Sequence, residues 1–182
     1  MPEGLEAGVA APESALAVNV PEAERYVGTL RERFDPVAKL GMPAHVTVLY
    51  PFMPPERITD SVVRKVRDLL SSLAAFEFRL ARIGRFPSVA LYLAPEPARP
   101  FIELTQAVVR AFPEYPPYGG QYDTIVPHLT VAQGSDADQD FAEAELAAAL
   151  PRSGIEASSR EVVLIENSSG RWERMHSFRL AR

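Results

Sequence analysis

Cysteine is missing from the 182 residues, which removes disulfides, thiolate metal sites and cysteine nucleophiles at once. No apolar stretch approaches the roughly 20 residues that a membrane-spanning helix needs. The opening residues, 1–13, carry acids and no basic segment of the kind that begins a secretion signal. A cytoplasmic protein that does not engage a membrane is the expectation. Basic charge is scarce as well: 19 Lys and Arg stand against 24 Asp and Glu, a net charge of −5. That balance argues against wrapping long duplex nucleic acid, which takes many phosphate contacts from Lys and Arg. A small anionic group held locally stays compatible with it. Neither a phosphate-cradling glycine loop nor a dinucleotide fingerprint is present, so no cofactor is implied.

Histidine is scarce too, and its placement is the most informative feature of the chain. Of three histidines, two lie in matched phrases, His45-Val46-Thr47-Val48 and His128-Leu129-Thr130-Val131. Both phrases sit in apolar, β-branched runs entered through a proline, Pro43 or Pro127, where a missing N–H costs a strand least. Successive strand side chains point to opposite faces. His45 and Thr47 therefore share one face with Val46 and Val48 on the other, and His128 and Thr130 are separated from Leu129 and Val131 in the same way. His176 has no threonine at that spacing and reads as an ordinary histidine of the last strand.

With 47% hydrophobic residues the chain can build a substantial core. Residues 14–20 read as a strand, and Pro21 opens a helix whose stripe is Tyr26, Val27, Leu30 and Phe34. The first histidine strand follows, then a helix carrying Ile58, Val62, Val66, Leu69 and Leu73, then a strand over 76–83. The order repeats with a strand over 89–93, a helix opened by Pro100, a Tyr/Pro/Gly-rich loop over 113–126, the second histidine strand and a helix over 138–150. That last helix is expected to place Phe141, Leu146 and Leu150 on the core. Residues 162–165 and 172–180 close the chain as an antiparallel pair across Asn167 to Gly170. The histidine phrase occupies the same slot in both halves. The pattern predicts an α+β, bilobal, duplicated fold: two antiparallel sheets with flanking helices around a central groove. Residues 1–13 read as disordered and 14–182 as one domain, with interleaved lobes and repeat halves at about 14–86 and 89–180.

A matched histidine pair can supply one neutral imidazole as general base and one imidazolium as general acid. In-line substitution at phosphorus needs both, on opposite sides, while the hydroxyls of Thr47 and Thr130 donate to the non-bridging oxygens. A zinc site would want a third ligand, and neither phrase has an acid at the neighbouring position of the same face. A Ser-His-Asp hydrolase would use one histidine and leave the duplication unexplained. Catalysis is thus assigned to His45 and His128 and phosphate binding to Thr47 and Thr130, with no metal. Tyr50, Phe52, Arg85 and Tyr122 are further candidates for substrate contact, although an aromatic leaving a strand is more often core packing and a turn arginine is more often solvated.

The two phrases resemble the paired histidine-x-threonine motifs of the two-histidine phosphoesterase superfamily, and its 2′-5′ RNA ligase-like branch in particular. The similarity extends to Tyr50-Pro51-Phe52, to Ile83-Gly84-Arg85-Phe86-Pro87 and to Gly170-Arg171-Trp172. It implies a bilobal fold and hydrolysis or transesterification of 2′,3′-cyclic or 2′-5′ phosphodiesters of nucleotides or RNA ends. The alternatives are a module that binds a nucleotide or RNA end without turnover, and a 2′-5′ RNA ligase running the reverse reaction. Which histidine is base and which acid is open at this level. A monomer is expected.

Overall fold

The structure is a computed structural model that describes residues 11–182. Its elements run β1 (Ser14–Asn19), α1 (Glu24–Phe34), α2 (Pro36–Lys39), β2 (His45–Leu49), α3 (Asp60–Ser71), β3 (Phe76–Phe86) and β4 (Ala90–Glu96). They continue with α4 (Arg99–Ala111), β5 (Leu129–Gln133), α5 (Asp136–Ala149), β6 (Ile155–Ser159), β7 (Glu161–Glu166) and β8 (Glu173–Arg179). Local chemistry sets several of the boundaries. Thr59 accepts the Val62 N–H at 3.4 Å to start α3. Ser135 and Asp138 form a reciprocal capping box that starts α5. Phe141 does not join the core as expected: it is 45% exposed and lies against Phe34 at 5.9 Å. The buried face of α5 is Gln139, Ala142 and Leu146.

The strands form two antiparallel sheets, ordered β2-β1-β7-β8 and β5-β4-β3-β6. Each half of the chain thus contributes to both sheets: β3 leaves the first half to pair with β4, and β7 leaves the second half to pair with β1. The exchange places β2 and β5 at corresponding edges, where a strand has one side free of partners. The helices cross over in the same sense, α1 packing on β5 and α4 on β2. One continuous core joins Leu16, Val18, Val46 and Val48 of the first sheet to Leu91, Leu93, Leu129 and Val131 of the second. Each such side chain contributes about 1.5–3 kcal/mol by leaving water. The histidine strands are therefore fixed from behind by the residues that alternate with the histidines.

The strand β6 is not foreshadowed by its composition. Ile155–Ser159 has a single β-branched aliphatic residue, yet it pairs with β3 from Phe76↔Ser159 to Leu80↔Ile155, an instance of tertiary pairing overriding local preference. Gly154 makes the approach feasible. It has φ +77°, and a Cβ there would fall 2.7 Å from that of Ala81. Of the N-terminal segment expected to be disordered, residues 1–10 lie outside the described residues. Glu13 is held in place: its N–H donates to Asn167 Oδ1 at 2.7 Å, and its carboxylate accepts the Tyr50 hydroxyl at 2.8 Å.

Candidate active site

His45 opens β2 and His128 stands immediately before β5, and the two edge strands pack against each other. Each ring is fixed by the same local device. His45 Nδ1 lies 2.8 Å from the carbonyl oxygen of Pro43, and His128 Nδ1 lies 2.7 Å from that of Val126. A carbonyl oxygen only accepts, so Nδ1 carries the proton in both rings and Nε2 keeps its lone pair. The alternation expected from the sequence holds. His45, Thr47, His128 and Thr130 are half-buried, whereas Val46, Val48, Leu129 and Val131 are buried.

The surroundings act on the two rings in one direction. Burial lowers His45 to about 4, helped by the positive charges of Arg31 and His128 and opposed by the Pro43 carbonyl. Burial also lowers His128, against the Val126 carbonyl. Both imidazoles are therefore neutral at pH 7 in the free protein, and the two rings lie close enough for a charge on His128 to act on His45. Unfolding restores the ordinary value of 6.5, so the unfolded chain binds more protons below that pH. The stability these rings permit is complete above pH 6.5 and is lost as pH falls toward about 4. His45→Gln is expected to flatten the slope of the urea midpoint across this window relative to the unchanged chain. Parallel slopes would show that His45 is not held neutral.

Further residues support the rings. Glu24 Oε1 accepts the N–H of Ala44, next to His45, at 2.5 Å. Glu24 also lies 4.0 Å from the Arg31 guanidinium. Arg31 is in turn bound to Asp35 through Nε at 3.1 Å and Nη2 at 3.0 Å. On the other side, Phe86 meets the His128 ring edge-on at 5.0 Å and Tyr92 lies 5.5 Å from it. Gly84 allows this packing, since a Cβ there would fall 2.5 Å from Tyr92 Cζ. Neither the α1 network nor the Phe86–Tyr92 pair is among the expected site residues. The available signals were the four-residue Arg31/Asp35 spacing at the end of a helix and the glycine-containing segment 83–87.

The secondary candidates separate clearly. Tyr50 is half-buried beside Thr47, its ring edge-on to Tyr118 and Trp172 at 6.3 Å each. Burial and the Glu13 carboxylate push its hydroxyl up to about 12, so it stays protonated. Tyr122 is 64% exposed and touches Tyr118 at 5.7 Å, on the rim of the same small cavity that Thr47 and Tyr50 line. Phe52 faces the interior. It is 3% exposed and packed on Phe112 at 5.2 Å and Tyr115 at 5.6 Å, because the chain turns inward after β2. Arg85 is engaged by α5: its guanidinium binds Asp140 at 2.8 Å and also Glu143. His176 lies on β8, at the opposite edge of the first sheet from β2. Among the described residues, no cluster of three His, Asp or Glu side chains is placed to hold a metal ion.

Comparison with known proteins adds a family. A model of the 2′-5′ RNA ligase superfamily matches residues 19–171, the stretch that contains both phrases. A Bacillus cytotoxicus protein named as a phosphoesterase is 30% identical over 116 residues, 60% of this chain and 62% of that protein. A Bacillus licheniformis protein of the same kind is 30% identical over 115 residues, 60% of this chain and 63% of its own length. The chain thus spans less than two thirds of these relatives. Among solved structures, Escherichia coli LigT complexed with 3′-AMP aligns with a TM-score of 0.65 at 16% identity, covering 94% of this chain and 99% of LigT. TT0787 of Thermus thermophilus aligns at 0.61 and 21% identity, covering 92% and 97%. At such identities the likeness is one of fold.

Proposed function

This chain belongs to the 2′-5′ RNA ligase superfamily, and on that premise we propose that it is a metal-independent phosphodiesterase or transesterase. Its substrates are 2′,3′-cyclic or 2′-5′ phosphodiesters of nucleotides or RNA ends, and His45 and His128 are the acid and base. The observation that carries the reading is the matched pair of Nδ1–carbonyl bonds, which leaves two Nε2 atoms as the reactive nitrogens. One neutral Nε2 takes the proton of the attacking water or hydroxyl as its oxygen bonds to phosphorus. The other imidazole, protonated, gives its proton to the departing ribose oxygen as that P–O bond breaks. The Thr47 and Thr130 hydroxyls donate to the non-bridging oxygens, where negative charge builds up.

The depressed histidines fit this cycle. A bound phosphodiester carries a negative charge that favours the imidazolium, so its binding draws a proton from solvent onto one ring of a site that is neutral when empty. Nucleotide recognition is further supported by the relatives of like fold, since LigT has been crystallised with 3′-AMP and with NADP+. Both histidines come from one chain, so a monomer suffices. The same groups catalyse ligation when concentrations favour it, because acid and base exchange roles on reversal. The test is a panel of the four nucleoside 2′,3′-cyclic phosphates and a 2′-5′ linked dinucleotide, assayed in EDTA with the products identified by the position of their phosphate. Turnover to a single regioisomer is expected. Binding without turnover of any member would leave a recognition module in place of the enzyme.

A further inference from the structure

The prolines that lead into the two phrases are out of step by one residue: Pro43 stands two positions before His45, whereas Pro127 stands immediately before His128. The shift matters because each ring is fixed by the carbonyl two residues back, that of Pro43 at 2.8 Å and that of Val126 at 2.7 Å. A carbonyl shares one rigid plane with the nitrogen of the next residue, and in a trans peptide the two point to opposite sides. Beneath His45 that nitrogen belongs to Ala44 and carries a hydrogen. Beneath His128 it is the ring nitrogen of Pro127 and carries none.

The Ala44 hydrogen is in use. Ala44 is fully buried, where an amide without a partner is costly, and its N–H donates to Glu24 Oε1 at 2.5 Å. Glu24 is the first residue of α1. The Arg31 guanidinium lies 4.0 Å from the same carboxylate oxygen and is itself tied to Asp35 at 3.0 Å. The carbonyl of Ala44 accepts the Val20 N–H at 2.8 Å, so the connection from β1 to α1 grips Ala44 by both its polar groups. The bonds therefore run in series from carboxylate to peptide to imidazole: Glu24 accepts from one side of the Pro43–Ala44 peptide, and the other side accepts from His45. Pro127 has no hydrogen with which to extend such a series, and the His128 ring is packed instead against Phe86 and Tyr92.

We propose that Glu24 is a positioning residue for His45 that acts through the Pro43–Ala44 peptide: by holding the Ala44 N–H it aims the Pro43 carbonyl at Nδ1, which keeps the proton there and leaves Nε2 its lone pair. The inference rests on the phosphodiesterase reading for the reaction His45 serves, whereas the tautomer is a property of the free protein. An N–H that donates to a carboxylate makes a stronger bond than a neutral pair. That donation polarises the peptide, so its carbonyl becomes a better acceptor for the imidazole N–H and the two bonds reinforce each other. The half-sites are alike in phrase and unlike in support: His45 is set by a carboxylate through a peptide, and His128 by a carbonyl alone.

Three substitutions separate the bond from the charge. Glu24→Gln keeps an oxygen that can accept the Ala44 N–H and loses the charge, Glu24→Asp keeps the charge on a side chain one methylene too short to reach, and Glu24→Ala loses both. Glu22→Ala, at an acid of the preceding turn, is the control. Each variant is read in the free protein by the imidazole nitrogen resonances, which distinguish an Nδ1–H ring from an Nε2–H ring, and in kcat and KM on a 2′,3′-cyclic nucleotide. Glu24→Asp and Glu24→Ala are expected to bring the Nε2–H tautomer into view at His45 and not at His128, and to lower kcat by about tenfold, the value of one hydrogen bond, with KM little changed. Glu24→Gln should keep the native tautomer and most of the activity, and Glu22→Ala should match the native chain. Should Glu24→Ala fail to fold, the comparison of Glu24→Gln with Glu24→Asp carries the test. A His45 ring that keeps its Nδ1 proton in Glu24→Asp, or a change shared equally by His128, would overturn the proposal. If the native chain shows no turnover while Glu24→Asp still shifts the His45 tautomer, the phosphodiesterase reading fails and the link from Glu24 to His45 stands.

Discussion

His45→Ala and His128→Ala are each expected to lower turnover of a 2′,3′-cyclic nucleotide by about 10²–10⁴-fold in the presence of EDTA, the usual contribution of a positioned acid or base. The double variant should fall short of the product of the two losses, because groups that act in one transition state are not independent. Each variant keeps Thr47 and Thr130, so residual catalysis from phosphate binding is expected in all three. The fold should tolerate the changes. Both rings are half-buried, and the carbonyls they release, of Pro43 and Val126, belong to exposed residues that water can reach. Thr47→Val and Thr130→Val, which remove one donor each, fall within the range of about 10²–10³-fold for an oxyanion contact. Full activity in either histidine variant would remove that residue from the mechanism.

The largest effect on stability is expected at Asp35. Its side chain is fully buried and pairs with the buried Arg31, both the Nε and Nη2 bonds ending on Oδ2. Its other oxygen accepts the Val37 N–H at 3.2 Å and caps α2. Burial, the larger influence on its carboxyl, pushes the pKa up while Arg31 pulls it down. Asp35→Ala leaves a guanidinium 2% exposed with only the distant edge of Glu24 for company. Breaking a buried pair in this way costs about 3–5 kcal/mol, a fall in Tm on the order of 10 °C for a chain of this size. Replacing both partners at once, Arg31→Met with Asp35→Leu, should recover much of the loss, since a paired apolar substitute leaves no stranded charge. Calorimetry decides between the cases. A shift of about 2 °C or less in Asp35→Ala would show that the pair contributes no more than an exposed one.

Much of this architecture was legible in the chain. Alternation around His45 and His128 identified which residues stay half-buried and which enter the core, and the phrase recurs in the same slot of each half. Hydropathy reports the face a strand buries and not the strand it pairs with, so the exchange of β3 and β7 between sheets could not be read. The strand β6 was hidden for a related reason: its pairing with β3 comes from tertiary context and not from its own residues. At the site, Phe52 and Arg85 carry the same sequence signal whether they face substrate or protein. Only coordinates show Phe52 on Phe112 and Arg85 on Asp140.

The central claim is that both imidazoles address one phosphate. It is tested most directly by following the ring resonances of His45 and His128 through a pH titration by NMR, with and without a nucleoside 3′-monophosphate. In the free protein both rings should titrate below the ordinary 6.5, His45 the lower of the two, and on binding both should move upward together. A ligand that raises only one of them, or neither, would contradict a shared site.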